Sequence, residues 1–363
     1  MLNAHRWLEE IHRLPLRDTV RVMNVCGGHE RSITLAGLRG ALPPQIELIP
    51  GPGCPVCICP ERDLYQAIQI ALSEPVTLVA FGDMLRVPVN APRRETRTLE
   101  QARSRGADVR PIASPSEAVT IARAERKRDV VFFAAGFETT MAPVAAMIEQ
   151  GVPPNLSVLM SGRLTWPAVA MLLDAGAAFD ALVAPGHVAT IMGPEQWGFV
   201  VERHHLPAAV AGFTPDSLVA AIYSVLRQKL EGKIFLDNCY PEVVRAGGNA
   251  TARAMLARSF KIVDAEWRGV GVIPKSGFGL RRQYSHIDAR LRFKDQVDES
   301  RKRIGEMPQG CECAGVVLGK IYPDQCKIFG TACTPHNPVG PCMVSDEGAC
   351  RIWWSAGRRP TAA

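Results

Sequence analysis

The stretch Val20-Arg21-Val22-Met23-Asn24-Val25-Cys26-Gly27-Gly28-His29 decides the fold. A short apolar run ends in a glycine-rich turn, and a segment that reads as a helix follows. The same unit recurs along the chain. Ile46 to Ile49 runs into Pro50-Gly51-Pro52-Gly53-Cys54-Pro55-Val56-Cys57. Val76 to Phe81 ends at Gly82-Asp83, Val130 to Ala135 at Gly136-Phe137-Glu138, and Leu156 to Met160 at Ser161-Gly162. Ala181 to Ala184 ends at Pro185-Gly186-His187, and Ala208 to Ala211 at Gly212. Continuous apolar runs that alternate with helices signal buried parallel strands. Helices are expected over Glu61–Leu72, Thr140–Gln150, Thr165–Leu173 and Asp216–Leu230. The last carries Leu218, Ala221, Ile222, Val225 and Leu226 at helical spacing.

The expected fold class is therefore α/β, with two parallel-sheet domains facing a cleft and a small Cys-rich domain. The first domain is placed at 1–110 with an N-terminal helix, and the second at 111–235. Residues 236–290 are expected to pack back on the first, and 291–363 form the Cys-rich part. A charged helix is expected over Arg292–Arg303. Open parallel sheets hold ligands beyond the carboxyl ends of their strands. Cys26, His29, Cys54, Cys57, Asp83, Glu138 and His187 all occupy such ends.

Cysteine usage sharpens the chemistry. The chain of 363 residues has 11 cysteines, and its tail carries Cys311, Cys313, Cys326, Cys333, Cys342 and Cys350. Four thiolates on Pro-punctuated backbone, Cys326 to Cys350, suit a [4Fe–4S] cluster or a tetrahedral zinc. The spacings are wide for zinc knuckles, which favours the cluster. Such a segment builds no core alone and calls for a metal staple. Cys311 and Cys313 read as substitute ligands, a redox pair or buried thiols. Cys54-Pro55-Val56-Cys57 reads as a dithiol whose thiolate a helix start favours, as half of a metal site, or as an inert turn. Cys26 with His29 reads as a nucleophile, a soft iron ligand or a buried thiol. Asp83 and Glu138 each read equally as helix caps.

Composition excludes other classes. Net charge is +6 and aromatics make up 6% of the chain. The arginines at 93–110 and 123–128 are interleaved with Glu95, Glu100, Asp108 and Glu125, with no aromatic platforms among them, so nucleic-acid binding is not expected. The start, Met1 to Glu10, has no apolar signal region, and no apolar run approaches a bilayer span. No membrane contact and a cytoplasmic location are expected. That compartment keeps thiols reduced, so many cysteines point to metal or catalysis. No P-loop and no G-x-G-x-x-G is present.

The ordered motifs resemble those of the HypD family of hydrogenase maturation factors. They are Cys26-Gly27-Gly28-His29, Gly51 to Cys57, Phe81 to Pro88, Gly136 to Thr140, Pro185 to Val188, Asp264 to Gly269 and Pro338 to Ser345. The resemblance implies a scaffold on which the Fe(CN)2CO group of [NiFe]-hydrogenases is assembled. It implies a small HypC-like chaperone as partner, cyanide delivered by HypE and supplied by HypF, and a hydrogenase large-subunit precursor served indirectly. By the same resemblance Cys26 shares the iron with a HypC cysteine. Cys326, Cys333, Cys342 and Cys350 hold a [4Fe–4S] cluster, and Cys54 with Cys57 relay electrons. One departure stands out: Arg31 occupies the place of a second histidine common in the family. Arginine stays charged and does not ligate iron. Two rival classes are a cluster-dependent thiol–disulfide reductase and a zinc-stabilised binding protein.

Overall fold

A computed structural model describes residues 3–92, 94–176, 179–296 and 307–359. Eleven strands are formed among them. They are β1 (Val20–Asn24), β2 (Ile46–Pro50), β3 (Val76–Phe81), β4 (Asp108–Ile112), β5 (Asp129–Gly136) and β6 (Leu156–Gly162). The rest are β7 (Ala181–Pro185), β8 (Ala208–Ala211), β9 (Leu236–Asn238), β10 (Phe260–Trp267) and β11 (Gly271–Leu280). The fold is α/β, with two parallel sheets as expected. One sheet has the order β2-β1-β7-β8-β9, the other β4-β3-β5-β6, and β10-β11 form an antiparallel pair.

The sheets do not follow a division at residue 110. β3 and β4 lie within 1–110 or at its edge, yet they share a sheet with β5 and β6, β3 pairing with β5. β7 and β8 lie within 111–235, yet they share a sheet with β1, β7 pairing with it. The second sheet is thus inserted between β2 and β7 of the first. Adjacency in sequence suggests one sheet per half of the chain, but a strand's partner is set by which buried faces match, and the central strands β3, β5, β6, β7 and β8 are alike in being apolar and buried on both faces. The segment 236–290 also divides. β9 completes the first sheet, while the helix Ala250–Ser259 packs on the helix Glu138–Glu149 and β11 packs on β6. The helix read at Arg292–Arg303 starts earlier, as Ala289–Arg292 and a 3₁₀ turn at Lys294–Gln296; its part from 297 lies outside the described residues.

Alternation along the strands builds two cores per sheet. In β5, Val131, Phe133 and Ala135 face one side, and Val130, Phe132 and Ala134 the other. The first sheet does the same, with Val20 and Val22 against the helix Pro215–Glu231, and Met23 and Val25 against Trp197 and Leu172. The tail is not a separate core. Cys313, Cys326, Cys333, Cys342 and Cys350 pack in the same cluster as Phe133, Leu159 and Trp267. Among the described residues no helix is long and apolar enough to cross a membrane.

Candidate functional site

Counted along its own course, the first sheet runs second strand, first, third, fourth, fifth. The order reverses between β1 and β7, and the crevice beyond such a reversal is where doubly wound sheets bind ligands. The turns after these strands carry Cys26 and His187. The second sheet repeats the arrangement, reversing between β3 and β5, whose following turns carry Asp83 and Glu138.

Cys26 leaves β1 in extended conformation and precedes the helix Gly27–Leu35 as its N-cap. The turn is tight on both sides. A Cβ on Gly27 would run into Glu347, and one on Gly53 into the backbone of Cys26. Burial pushes the Cys26 thiol up to about 12, with the charge of Glu347 adding to it; hydrogen bonds from the backbone at His29 and Gly28 act against this rise. Without a cation the site therefore holds a protonated thiol. Deprotonation waits for a metal or another positive partner.

His29 is fully buried, with Nε2 3.0 Å from the Ala211 carbonyl. Its Nδ1 has no hydrogen-bond partner among the described residues. Burial lowers it to about 4, so the ring is neutral. Phe213, in the turn after β8, lies between two imidazoles. Its ring centroid is 5.0 Å from that of His29 and 3.8 Å from that of His187, which stacks on it. Desolvation also lowers His187. Tyr240 covers the same edge, against Gly186 and Gly212.

Cys54 and Cys57 form a disulfide, with Cα atoms 5.3 Å apart. Pro55 opens the helix Pro55–Ile58, and the Cys57 amide donates to Cys54 Sγ at 3.2 Å. Both are buried, 4% and 2% exposed, which closes the pair to bulky substrates. Cys59 is a buried thiol held up at about 11 by burial, 3.5 Å from the Ser161 hydroxyl.

The six tail cysteines form one cluster. The thiols of Cys313, Cys342 and Cys350 adjoin one another, and that of Cys311 adjoins Cys313. Donation from Cys313 and Cys350 lowers Cys342, while Cys350 is raised by the same contacts. Burial pushes Cys333 up to about 11 and raises Cys326. Gly340 lies against both the Cys311 and Cys313 sulfurs, where a side chain would collide. Amides reach the sulfurs too: Cys350 N–H donates to Cys342 Sγ at 3.3 Å, and Val339 N–H to Cys333 Sγ at 3.4 Å. Among the described residues, no three His, Cys, Asp or Glu side chains are grouped to hold a single metal ion.

These groups meet. A small cavity of about 10 Å³ is lined by Cys26, by Cys54 of the disulfide and by Cys342 of the tail, with Asn24, Glu30 and Glu347 beside them. His187 lies at the same sheet edge but does not line it.

The carboxylates differ. Asp83 accepts from the Ser345 hydroxyl at 3.1 Å and is raised by burial. Glu347 has part of its surface exposed, yet its carboxyl is crowded by protein atoms. That crowding, with the charge of Asp83, pushes it up to about 7. Glu138 sits apart from the cavity lining. Its two oxygens accept from the Thr165 amide at 2.8 Å and the Thr165 hydroxyl at 2.7 Å, and burial raises it to about 7. It ties the turn after β5 to the next loop.

Sequence reasoning passed over Glu30, Phe213 and Glu347. Glu30 is 2% exposed and accepts from Asn24 Nδ2, Arg39 and the Trp353 indole at 3.1, 2.8 and 2.6 Å. It locks the helix after Cys26 to the tail helix Ala349–Ser355. Phe213 follows the same strand-end rule that marked His187, so its position was readable. Glu347 gave no local signal, because its partner Cys26 is far away in the chain.

Fold and site together define an α/β thiol protein, with two doubly wound sheets whose half-buried Cys26, disulfide and Cys-rich tail converge on one cavity. Residues 3–357 match the HypD model, described as the hydrogenase formation hypA family, and the chain belongs to that family. It is 39% identical to the hydrogenase maturation factor HypD of Azotobacter vinelandii, over 94% of this chain and 90% of that one. It is 38% identical to the hydrogenase maturation factor HypD2 of Bradyrhizobium diazoefficiens (94% and 90%) and to the HypD of Rhodobacter capsulatus (93% and 89%).

Proposed function

We propose that this chain is a hydrogenase maturation scaffold that holds an iron carrying cyanide and carbon monoxide while that Fe(CN)2CO cargo is assembled. The observation that carries this reading is the shared lining of one cavity by Cys26, Cys54 and Cys342. Cys26 is the iron-holding residue. A soft thiolate suits low-spin iron with strong-field diatomic ligands. Its proton must leave as the iron binds. Glu347, at about 7 and felt by Cys26, is placed to accept it. His29 stays neutral and orients the turn through Ala211.

The donor set of the tail fits a [4Fe–4S] cluster. Cys326, Cys333, Cys342 and Cys350 are buried thiols in an apolar core, and amides donate to two of the sulfurs. A cluster takes one thiolate per iron, so its ligands surround it and need not converge on one point. When bound, such a cluster supplies electrons singly at low potential. Reducing the Cys54–Cys57 disulfide takes two electrons and two protons and yields two thiols. Cys54 is the half of the pair that faces the cavity. In this reading the partners are a HypC-like chaperone sharing the iron, HypE with HypF as cyanide source, and a hydrogenase precursor indirectly, all in the cytoplasm.

The test is anaerobic purification with iron, sulfide and zinc analysis of wild type and Cys333→Ala. About four irons and four sulfides per chain, lost in the variant, are expected. Zinc without sulfide overturns the electron relay. Turnover of a small disulfide with no partner protein would instead favour the reductase reading.

A further inference from the structure

A roomier cavity lies at the far end of the helix that begins at Cys26. Its volume is about 150 Å³, and Ile33, Thr34, Gly40, Arg39, Trp353 and Arg358 define it. Among the described residues no acidic side chain lines it. Two guanidiniums lie over the Trp353 indole, Arg39 at 5.0 Å and Arg358 at 5.4 Å from the ring. Arg39 is fixed: it donates to Glu30 at 2.8 Å, to Thr34 at 3.4 Å and to the Leu48 carbonyl. Glu30 neutralises it from behind. Arg358 brings a second charge, on an exposed side chain anchored through its own amide to the Trp353 carbonyl. Asp324, also in the tail, is felt by both arginines but is not among the lining residues.

We propose that this cavity is a docking pocket for an acidic side chain presented by a partner protein. The chemistry is complementary. A carboxylate meets the Arg358 guanidinium, whose planar fork pairs with carboxylates in two-point geometry. The stem of that side chain packs on Ile33 and the edge of Trp353. Gly40 leaves the space open, since a Cβ there would meet nothing within 4 Å. Thr34 is about 12 Å along the helix from Cys26 at 1.5 Å per residue. A protein docked here therefore stands within reach of the Cys26 turn. The pocket's binding chemistry does not depend on what Cys26 holds.

The test uses the full chain labelled with 5-fluorotryptophan, with the Trp353 fluorine signal assigned from Trp353→Phe. The probe is acetyl-leucyl-glutamic acid amide, and its glutamine counterpart is the control. A saturable shift of the Trp353 signal with the glutamate probe is expected. At least tenfold weaker binding is expected for the glutamine probe, for Arg358→Ala and for the pocket-filling Gly40→Leu. Retained fluorine spectra of the other tryptophans report that the variants fold. No shift with the glutamate probe, or equal shifts with both probes, overturns the proposal. So does a shift with inorganic phosphate as strong as with glutamate, which would mark an unselective anion site.

Discussion

The charge state of single buried groups governs what this part of the fold can do. His29 is the clearest case. Its ordinary value of 6.5 falls to about 4 on burial. Between those values the unfolded chain binds a proton that the folded chain refuses. Stability is therefore full above pH 6.5 and falls as pH drops toward 4. The loss is about 1.4 kcal/mol per unit, or about 3 kcal/mol in all. Denaturant titrations of the metal-free protein should show this slope reduced in His29→Gln. Glu138 carries the opposite sign. Its carboxyl rises from 4.5 to about 7. The folded state holds the proton there, and stability falls as pH rises through 7. Glu138→Gln keeps an acceptor for the Thr165 amide and removes the titration. It should flatten the pH 5 to 8 loss without lowering stability at pH 5. A variant that loses stability equally at both pH values would contradict this assignment.

At the scale of elements, the turns matter more than the strands. Gly53 stands where a methyl would enter the Cys26 backbone. Gly53→Ala should cost about 1–3 kcal/mol through overpacking and raise the thiol reactivity of Cys26 toward an alkylating reagent under denaturant-free conditions. Unchanged stability and reactivity would show that the turn relaxes freely. These strand–turn–helix units were legible in sequence because each apolar run is short, continuous and closed by Gly or Pro. The helix near Glu61 and the long one ending near Leu230 were legible from periodicity, and they form as Glu61–Ser73 and Pro215–Glu231. The disulfide was legible only as one option, because a C-x-x-C reads as a dithiol–disulfide pair, as half a metal site or as an inert turn. The stacking of Phe213 with the two histidines was not legible, although its strand-end position was, since stacking depends on neighbours brought together by β7 and β8.

For the whole molecule, the decisive feature is the interleaving of the two sheets. It places the turns of Cys26 and His187, far apart in sequence, at one strand-order reversal. Strand partners could not be read from the sequence, because buried parallel strands look alike. The tail then bridges the assembly. Its helix is pinned to the Cys26 helix by the Trp353–Glu30 hydrogen bond of 2.6 Å, while its cysteines share a core with the second sheet. Trp353→Phe leaves a buried carboxylate short of a donor and should cost about 1–3 kcal/mol. Urea unfolding of wild type and variant measures this directly, and a null effect would mean the strap carries no load.

The most direct measurement on the central claim is infrared spectroscopy of the anaerobically purified protein in complex with the HypC-like chaperone proposed as its partner, wild type against Cys26→Ala. Cyanide and carbon monoxide bands are predicted in wild type and absent in the variant, with the tail's iron and sulfide content unchanged. Bands of normal intensity in Cys26→Ala would contradict the account, because the iron would then be held elsewhere.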